Sequence, residues 1–459
     1  MLKIRKFILC LCVFSISLDA NAITINEALI SAYKTNSKLN AQREILKASD
    51  EQIMQALSRW LPTISATVTK QYRNQKSLQR GPASNLTTTN TSNGGVTHGL
   101  TISQNLFRSG ADIARIKAAR ATIEAARANL ESKEQEIFIN TAKAYMNALS
   151  TKEIYHIAQH RETDSEKLLR GTRHRFKAGD TSKTDVALAE ANYENAIADK
   201  MVAKANYESA KASFKAVTDL EAKNLILPKT IPQLPKSLNK TIDTAITKNP
   251  SMIAAKNAAN AQKQNIGVVR GSVLPSVDLQ HTIAGNIKTT AFTSTRRRSH
   301  TTAIILTIPI FGTSDGSGKN SWSALREQKH KAAQLQNELQ ETMKNTKAGA
   351  IQSWAAFKAG KRSLKAREAQ YAAQKIAYKG AQALEKAGQI STLDMLDFQK
   401  RYFNAYSKFI AEREKYYNAF YILKSTVGEC TAKGLGLNTQ YYDLLKNYNS
   451  IKWQLIGAF

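Results

Sequence analysis

One nine-residue frame occurs twice. Lys177-Ala-Gly-Asp-Thr-Ser-Lys-Thr-Asp185 and Lys386-Ala-Gly-Gln-Ile-Ser-Thr-Leu-Asp394 share the pattern K-A-G-x-x-S-x-x-D, 209 positions apart. A Gly takes the positive φ on which helices commonly end. A Ser with an acid three residues on is a capping-box start, and its carboxylate suits the positive end of a helix. Each copy therefore predicts the tip of a helical hairpin, built on Gly179, Ser182 and Asp185 in the first and on Gly388, Ser391 and Asp394 in the second. A chain with two such tips must accommodate four helical arms.

Nothing limits those arms to ordinary length. The eight prolines stand at 62, 82, 228, 232, 235, 250, 275 and 309, which leaves 83–227 and 310–459 free of Pro. Between Gly110 and Gly171 there is no Gly, and Ala, Glu, Lys, Arg and Leu, all strong helix formers, dominate. Ile116, Ile123, Leu130, Ile137 and Ala144 recur every seven residues, the coiled-coil period. A helix over 111–178 would be roughly 100 Å long at about 1.5 Å per residue. That exceeds what one globular core needs, and fits either a solvated coiled-coil rod or a stave in the wall of a tube.

The whole chain is a duplication. Ala32-Tyr-Lys-Thr-Asn-Ser37 matches Ala245-Ile-Thr-Lys-Asn-Pro250 at an offset of 213, as Leu61-Pro62 matches Leu274-Pro275. Asn105-Leu-Phe107 matches Pro309-Ile-Phe311 at 204, and Tyr145 matches Trp354 at 209. Repeat 1 covers 23–226, with a helix over 26–60, strands at 62–80 and 96–107, and a hairpin over 111–220 with its tip at 177–185. A Pro-rich linker follows at 227–240. Repeat 2 covers 241–430, with helices over 241–271, strands at 274–288 and 300–311, and a hairpin over 320–428 with its tip at 386–394; 431–459 is a tail.

The strands carry period two. Ile64, Ala66 and Val68 alternate with Ser65, Thr67 and Thr69; Leu100 and Ile102 with Thr101 and Ser103; Val277, Leu279 and Ile283 with Asp278, Gln280 and Thr282; Ile304, Leu306 and Ile308 with Ala303, Ile305 and Thr307. A transmembrane barrel needs this pattern, with lipid outside and water inside, although a half-buried soluble sheet has the same period. The stretches between the strands read as polar loops, Gly81–Gly95 being rich in Thr, Asn and Ser and the other holding Arg296-Arg-Arg298. If the strands span a membrane, four cannot close a barrel and an open edge cannot face lipid. Three chains would pool twelve, an even count in the usual range.

Residues 1–22 have the form of an export signal: Lys3, Arg5 and Lys6, an apolar Phe7–Leu18, then Ala20-Asn21-Ala22. About a dozen apolar residues are too few for a spanning helix. Cleavage would leave Cys430 as the only thiol, hence no intrachain disulfide and no Cys-based metal site. The formal net charge is +30, and the signal accounts for +2 of it. Export and the scatter of cations along helices argue against nucleic acid as the partner.

These residues carry a resemblance that spans about 23–430. The duplicated helix–Leu-Pro–strand–loop–strand–Pro-Ile-Phe–helix order, with the frame G-x-x-x-x-x-D-x-L-D at Gly388–Asp397, resembles the TolC-type outer-membrane efflux proteins. The resemblance implies an α+β membrane protein and a homotrimer. Four strands per chain would form a 12-stranded transmembrane β-barrel, continuous with a long periplasmic α-helical barrel. It implies an outer-membrane exit duct of a tripartite efflux or type I secretion system, working with a periplasmic adaptor and an inner-membrane pump, with no cofactor and no catalysis. It also implies a channel closed at the periplasmic tips, with acid rings at positions matched here by Asp394 and Asp397. Asp185 matches a position that helps hold the tips shut through a Tyr and an Arg of the second hairpin; Glu385 and Ile390 stand there instead. The lost Arg predicts another tie, with Lys183 or Lys386 pairing with Glu385 or Asp185.

Asp394 and Asp397 lie three apart on one helix face, about 4.5 Å along the axis. Threefold symmetry would stack them as two rings of carboxylates that attract cations, and crowding would raise some of their pKa values. Capping alone also accounts for Asp394, whose duplicate is Asp185; it does not account for Asp397, whose counterpart is Leu188. Gly312–Lys319 has the look of a phosphate loop, but the Gly spacing is wrong and Asn320 replaces the Mg²⁺-binding hydroxyl, which favours a strand-to-helix crossover. His156 and His160 are i, i+4, without the Glu that a zinc protease places after the first His. The aromatic tail around Tyr441, Tyr442, Tyr448 and Trp453 reads as packing around the middle of the tunnel. The alternative function is an exported coiled-coil structural protein that binds anionic surfaces through its charge.

Overall fold

The computed structural model describes residues 22–80, 86–228, 234–289, 294–310 and 321–452. The signal segment up to residue 21, part of the Pro-rich linker, the stretch 312–319, Trp453 and Phe459 lie outside the described residues. In chain order the elements are α1 (Ile25–Thr35), α2 (Ser37–Leu57), β1 (Thr63–Arg80), β2 (Leu86–Phe107), α3 (Ala111–Lys177), α4 (Lys183–Thr218), α5 (Leu238–Lys248), α6 (Pro250–Arg270), β3 (Ser276–Thr289), β4 (Ser294–Thr307), α7 (Ser321–Lys386), α8 (Thr392–Thr426) and α9 (Lys446–Ile451). They group into two compact units. One holds the chain up to residue 39 with 134–242 and 349–441; the other holds 40–133, 243–348 and the chain from 442 on.

The duplication is visible in the breaks between elements. The helix expected over 26–60 is two helices, because Asn36 leaves the helical region at ψ 116° and turns its side chain to cap the amides of Lys38 and Leu39. Asn249 makes the same break in repeat 2, its side chain accepting from the Ser251 amide with Pro250 in the first turn of α6, where Pro loses no hydrogen bond. Helix α5 begins at Leu238, inside the expected linker. Short 3₁₀ turns at Ser58–Trp60 and Gly271–Val273 then lead into β1 and β3.

In the second unit the strands form one antiparallel sheet in the order β1-β2-β3-β4. Opposed residues share a face. The register therefore places Ile64, Ala66, Leu100, Ile102, Ile283, Leu279, Ile304 and Leu306 on one face, and Ser65, Thr67, Thr101, Ser103, Thr282, Gln280 and Thr301 on the other. Among the described residues the apolar face is largely exposed on the edge strands, Ile64 at 67% and Ile304 at 73%, and partly exposed on the central ones.

Two strand boundaries differ from expectation. β2 begins at Leu86 rather than 96, and β4 runs over 294–307 rather than 300–311, so most of the two polar loops is strand. Both faces are polar there, so no alternation marks the pairing; β-branched Thr still favours it. β1 and β2, at 18 and 22 residues, exceed the 9–11 that span a bilayer. At the opposite end, Asn105 donates to Asp112 in the first turn of α3 at 2.6 Å, tying strand to helix. A Cβ on Gly271 would lie 2.4 Å from that of Ala111, so only Gly lets this turn meet the start of α3.

In the first unit, α3 and α4 pack through small residues. Ala189, Ala196, Ala203 and Ala210 are buried at seven-residue spacing on α4, and Ile137 belongs to the buried heptad stripe of α3. Tyr145 is fully buried, its hydroxyl donating to the carbonyls of Ile23 and Ile226. Burial pushes that phenol up to about 12. In the second unit, residues 442–448 lie on α2 and α3: Arg43 stacks over Tyr442, Arg127 over Tyr448, and Asn447 donates to the buried Asp50 at 3.0 Å.

Candidate functional site

Both tips form as the repeated frame dictates. At the first, the Asp180 amide donates to the Arg175 carbonyl and the Gly179 amide to that of Phe176. At the second, Gln389 donates to Leu384 and Gly388 to Glu385 in the same pattern. This is the Schellman closure of a helix, and it needs a left-handed residue at C′; Gly179 sits at φ +85° and Gly388 at φ +70°. The next helices open on reciprocal capping boxes. Ser182 accepts from the Asp185 amide, and the Asp185 carboxylate accepts from the Ser182 amide and hydroxyl. Ser391 and Asp394 repeat those bonds.

The side chains then part company. Asp185 also accepts from the Thr181 hydroxyl at 2.8 Å. The Ser182 hydroxyl first, then that of Thr181, hold its carboxyl below the usual range. The counterpart of Thr181 is Ile390, which packs against the buried cluster Leu168, Tyr378, Ala381 and Met395. Asp394 is exposed. Asp397, one turn on, is exposed as well and pairs with Arg401 at 2.6 Å. The opposite face of α8 is buried at Thr392, Met395 and Gln399. Of the residues expected at the tip, Asp394 is held by the cap of its own helix and Asp397 by a neighbour on that helix.

The tie between the hairpins is an Arg after all, with the charges exchanged. Arg175, in the last turn of α3, donates to Glu385, in the last turn of α7, at 2.5 Å. Glu385 therefore meets Arg175, not Lys183 or Lys386, and Asp185 is engaged by hydroxyls of its own hairpin. Arg175 also helps hold the Asp185 carboxyl down. The frame does not mark Arg175, but a signal existed. An acid in the last turn of a helix opposes the macrodipole and calls for a cation, and the last turn of α3 is basic, with His174, Arg175 and Lys177.

Further polar links join α3 to the second hairpin. Tyr378 donates to Asp164 at 3.0 Å. Burial, then Asp164, pushes its phenol well above the ordinary value. Asn192 of α4 donates to Ser165 of α3 and Gln399 of α8 at 2.9 and 3.1 Å, and Arg413 of α8 pairs with Glu153 of α3 at 2.6 Å. They lie beside the apolar cluster of Leu168, Tyr378, Ala381 and Met395, which also joins α3 to the second hairpin. His156 turns to Gln159. Among the described residues no group of three or more His, Cys, Asp or Glu side chains is placed to hold a metal.

A family model described as outer membrane efflux protein matches residues 29–218 and 241–429, one stretch within each repeat. The outer membrane efflux protein BepC of Brucella suis biovar 1 is 26% identical over 439 residues, 95% of this chain and 91% of that one. The outer membrane protein TolC of Escherichia coli is 25% identical over 170 residues, 36% of this chain and 34% of that one. Among solved structures, the Campylobacter jejuni CmeC outer membrane channel superposes with a TM-score of 0.74 at 18% identity, covering 94% of this chain and 90% of that one.

Proposed function

The chain belongs to the outer membrane efflux protein family, and from that premise we propose that three copies form a passive exit duct across the outer membrane. An inner-membrane pump, reached through a periplasmic adaptor, delivers small molecules or protein to it. The observation that carries this reading is the sheet. Among the described residues β1 and β4 are unpaired edges, and the apolar side chains on the face between them are partly or largely exposed. Such edges cannot face lipid unsatisfied. Alternating antiparallel pairing makes β1 and β4 antiparallel to one another, so copies related by rotation pair edge to edge and close a 12-stranded barrel with an even, all-antiparallel count. The Thr- and Ser-rich face then lines the lumen.

The tips form the gate. Arg175–Glu385 and the α3–α8 links hold the closed arrangement, and Asp394 and Asp397, on the exposed face of α8, supply two rings of acids that favour cations. The Asp397–Arg401 pair is exposed on both sides and worth well under about 1 kcal/mol, so the carboxylate keeps its pull on ions. Single-channel recording of the full chain in a planar bilayer tests this, with Asp394→Ala/Asp397→Ala alongside. Discrete cation-preferring steps, blocked by multivalent cations in the native chain and not in the double variant, are expected. Absence of current from a protein that needs no detergent would leave instead an exported coiled-coil protein that binds anionic surfaces.

A further inference from the structure

The outward, apolar face of the sheet ends in cations. Going up the register from the helix-connected end, opposed residues run Val277–Leu306, then Leu279–Ile304, then His281–Thr302, then Leu100–Ile283–His300. The next two rows are Val68–His98–Gly285–Arg298 and Lys70–Val96–Ile287–Arg296. Arg296, Arg298, Lys70, His98 and His300 are all exposed. The polar row lower down is internally satisfied, with His281 Nδ1 2.8 Å from Thr302 Oγ1. The two upper rows have acid on neither strand face, and a strand rise of about 3.4 Å per residue makes them about 7 Å deep. Gly285 has a use here. A Cβ at that position would lie 2.2 Å from His98 Nε2, so only Gly lets the imidazole lie across β3, in the row of Arg298.

Arg on the lipid face costs about 2–4 kcal/mol at the bilayer midplane and about 0–1 near the interface, so these rows mark the interface. They stand at the end of the sheet away from the helices, which in the duct reading is the outer leaflet; the inference rests on that reading. We infer that the outward-facing rows of Arg296, Arg298, Lys70 and His98 bind the phosphate-bearing headgroups of outer-leaflet lipid, with its acyl chains on the apolar rows below. Guanidinium groups match phosphate bidentately. The apolar rows directly beneath select an amphiphile, since a free anion gains nothing from them. Arg297, between the two Arg residues, faces the opposite side of the sheet beside Asn286 and supplies a control of equal charge.

The test is native mass spectrometry of the detergent-solubilised full-length protein, titrated with diphosphoryl lipid A or with phosphatidylcholine, and checked for conductance in parallel. The native chain and Arg297→Thr are expected to retain lipid A over phosphatidylcholine. Arg296→Thr/Arg298→Thr lowers that retention by about tenfold or more, and Arg296→Lys/Arg298→Lys, which keeps the charges, recovers most of it. Equal loss in Arg297→Thr, or displacement of lipid A by inorganic phosphate at matched ionic strength, overturns the inference. A conducting protein without preference for lipid A overturns it while leaving the duct intact; a protein that does not conduct removes the duct and the inference together.

Discussion

The two helix tips have the same backbone and different occupations. Both close with Gly at C′, both open on Ser with Asp at N3, and the hydrogen bonds correspond one for one. Around that shared frame the first tip carries Thr181, Arg175 and Leu188, where the second carries Ile390, Leu384 and Asp397. The first spends its carboxylate on its own hydroxyls and offers a guanidinium outward. The second receives that guanidinium at Glu385 and leaves its α8 acids exposed. Duplication has preserved what shapes the turn and released what faces the partner, so differences between the copies point to function more sharply than their identities do.

The largest effect is expected where the copies meet. Glu385→Arg sets two guanidinium groups against each other in a half-buried site, where one charge-assisted bond is worth about 1.5–3 kcal/mol. In the duct reading the closed-to-open ratio falls by roughly 10–100-fold, measured as open probability in bilayers. Arg175→Glu alone acts in the same direction, and the double exchange Arg175→Glu/Glu385→Arg recovers most of the closure. A double variant as open as the singles would remove this pair from the latch.

Removing the caps separates shape from occupation. Ser182→Ala and Ser391→Ala each delete one N-cap acceptor and should destabilise by about 1 kcal/mol, within the usual range of about 0.5–2. Because the two boxes are geometrically alike, the losses in thermal unfolding should be nearly equal. Their effects on current should not be. Ser391→Ala loosens the helix end that carries Asp394 and Asp397, and so alters multivalent-cation block, whereas Ser182→Ala leaves block unchanged. Equal shifts in block would mean that the acids of α8 have no special place in the pore.

The tips, the duplication and the long helices were legible because each is a local rule: a Gly for positive φ, a cap, an absence of Pro over a long span. Much of the sheet was legible for the same reason, in the alternation of Ile64, Ala66 and Val68. Its outer part was not. Thr87–Asn90 and Arg296–Arg298 pair as strand although both faces are polar, so period two carries no contrast there. The break at Asn36 was hidden because nothing in that stretch stops a helix by residue type alone; the capping side chain decides it. Arg175–Glu385 was out of reach for a different reason. Its partners stand 210 residues apart, and only the packing of α3 against α7 selects Arg175 over the neighbouring Lys177.

The smallest effect concerns the titration of Asp185. The carboxyl of Asp185 is held below its ordinary value by Ser182, then by Thr181, so the folded chain favours the charged form more than the unfolded chain does. Its contribution is therefore complete above the unfolded value, near about 4, and disappears as pH falls through the lower folded value. Asp185→Asn should leave acid unfolding of the chain less steep below about pH 4 while also weakening the cap at neutral pH. Thr181→Val isolates the second hydroxyl and should remove part of the same acid sensitivity at a smaller neutral-pH cost than Asp185→Asn. Ile390→Thr puts that hydroxyl beside Asp394. If the capping geometry alone governs the acid, this change should transfer the acid dependence to the second tip. If Ile390 is held too firmly by Leu168 and Met395 for a Thr to turn toward Asp394, stability falls at every pH and the acid limb stays where it was. The two outcomes distinguish a tip specified by its turn from one specified by the cluster behind it.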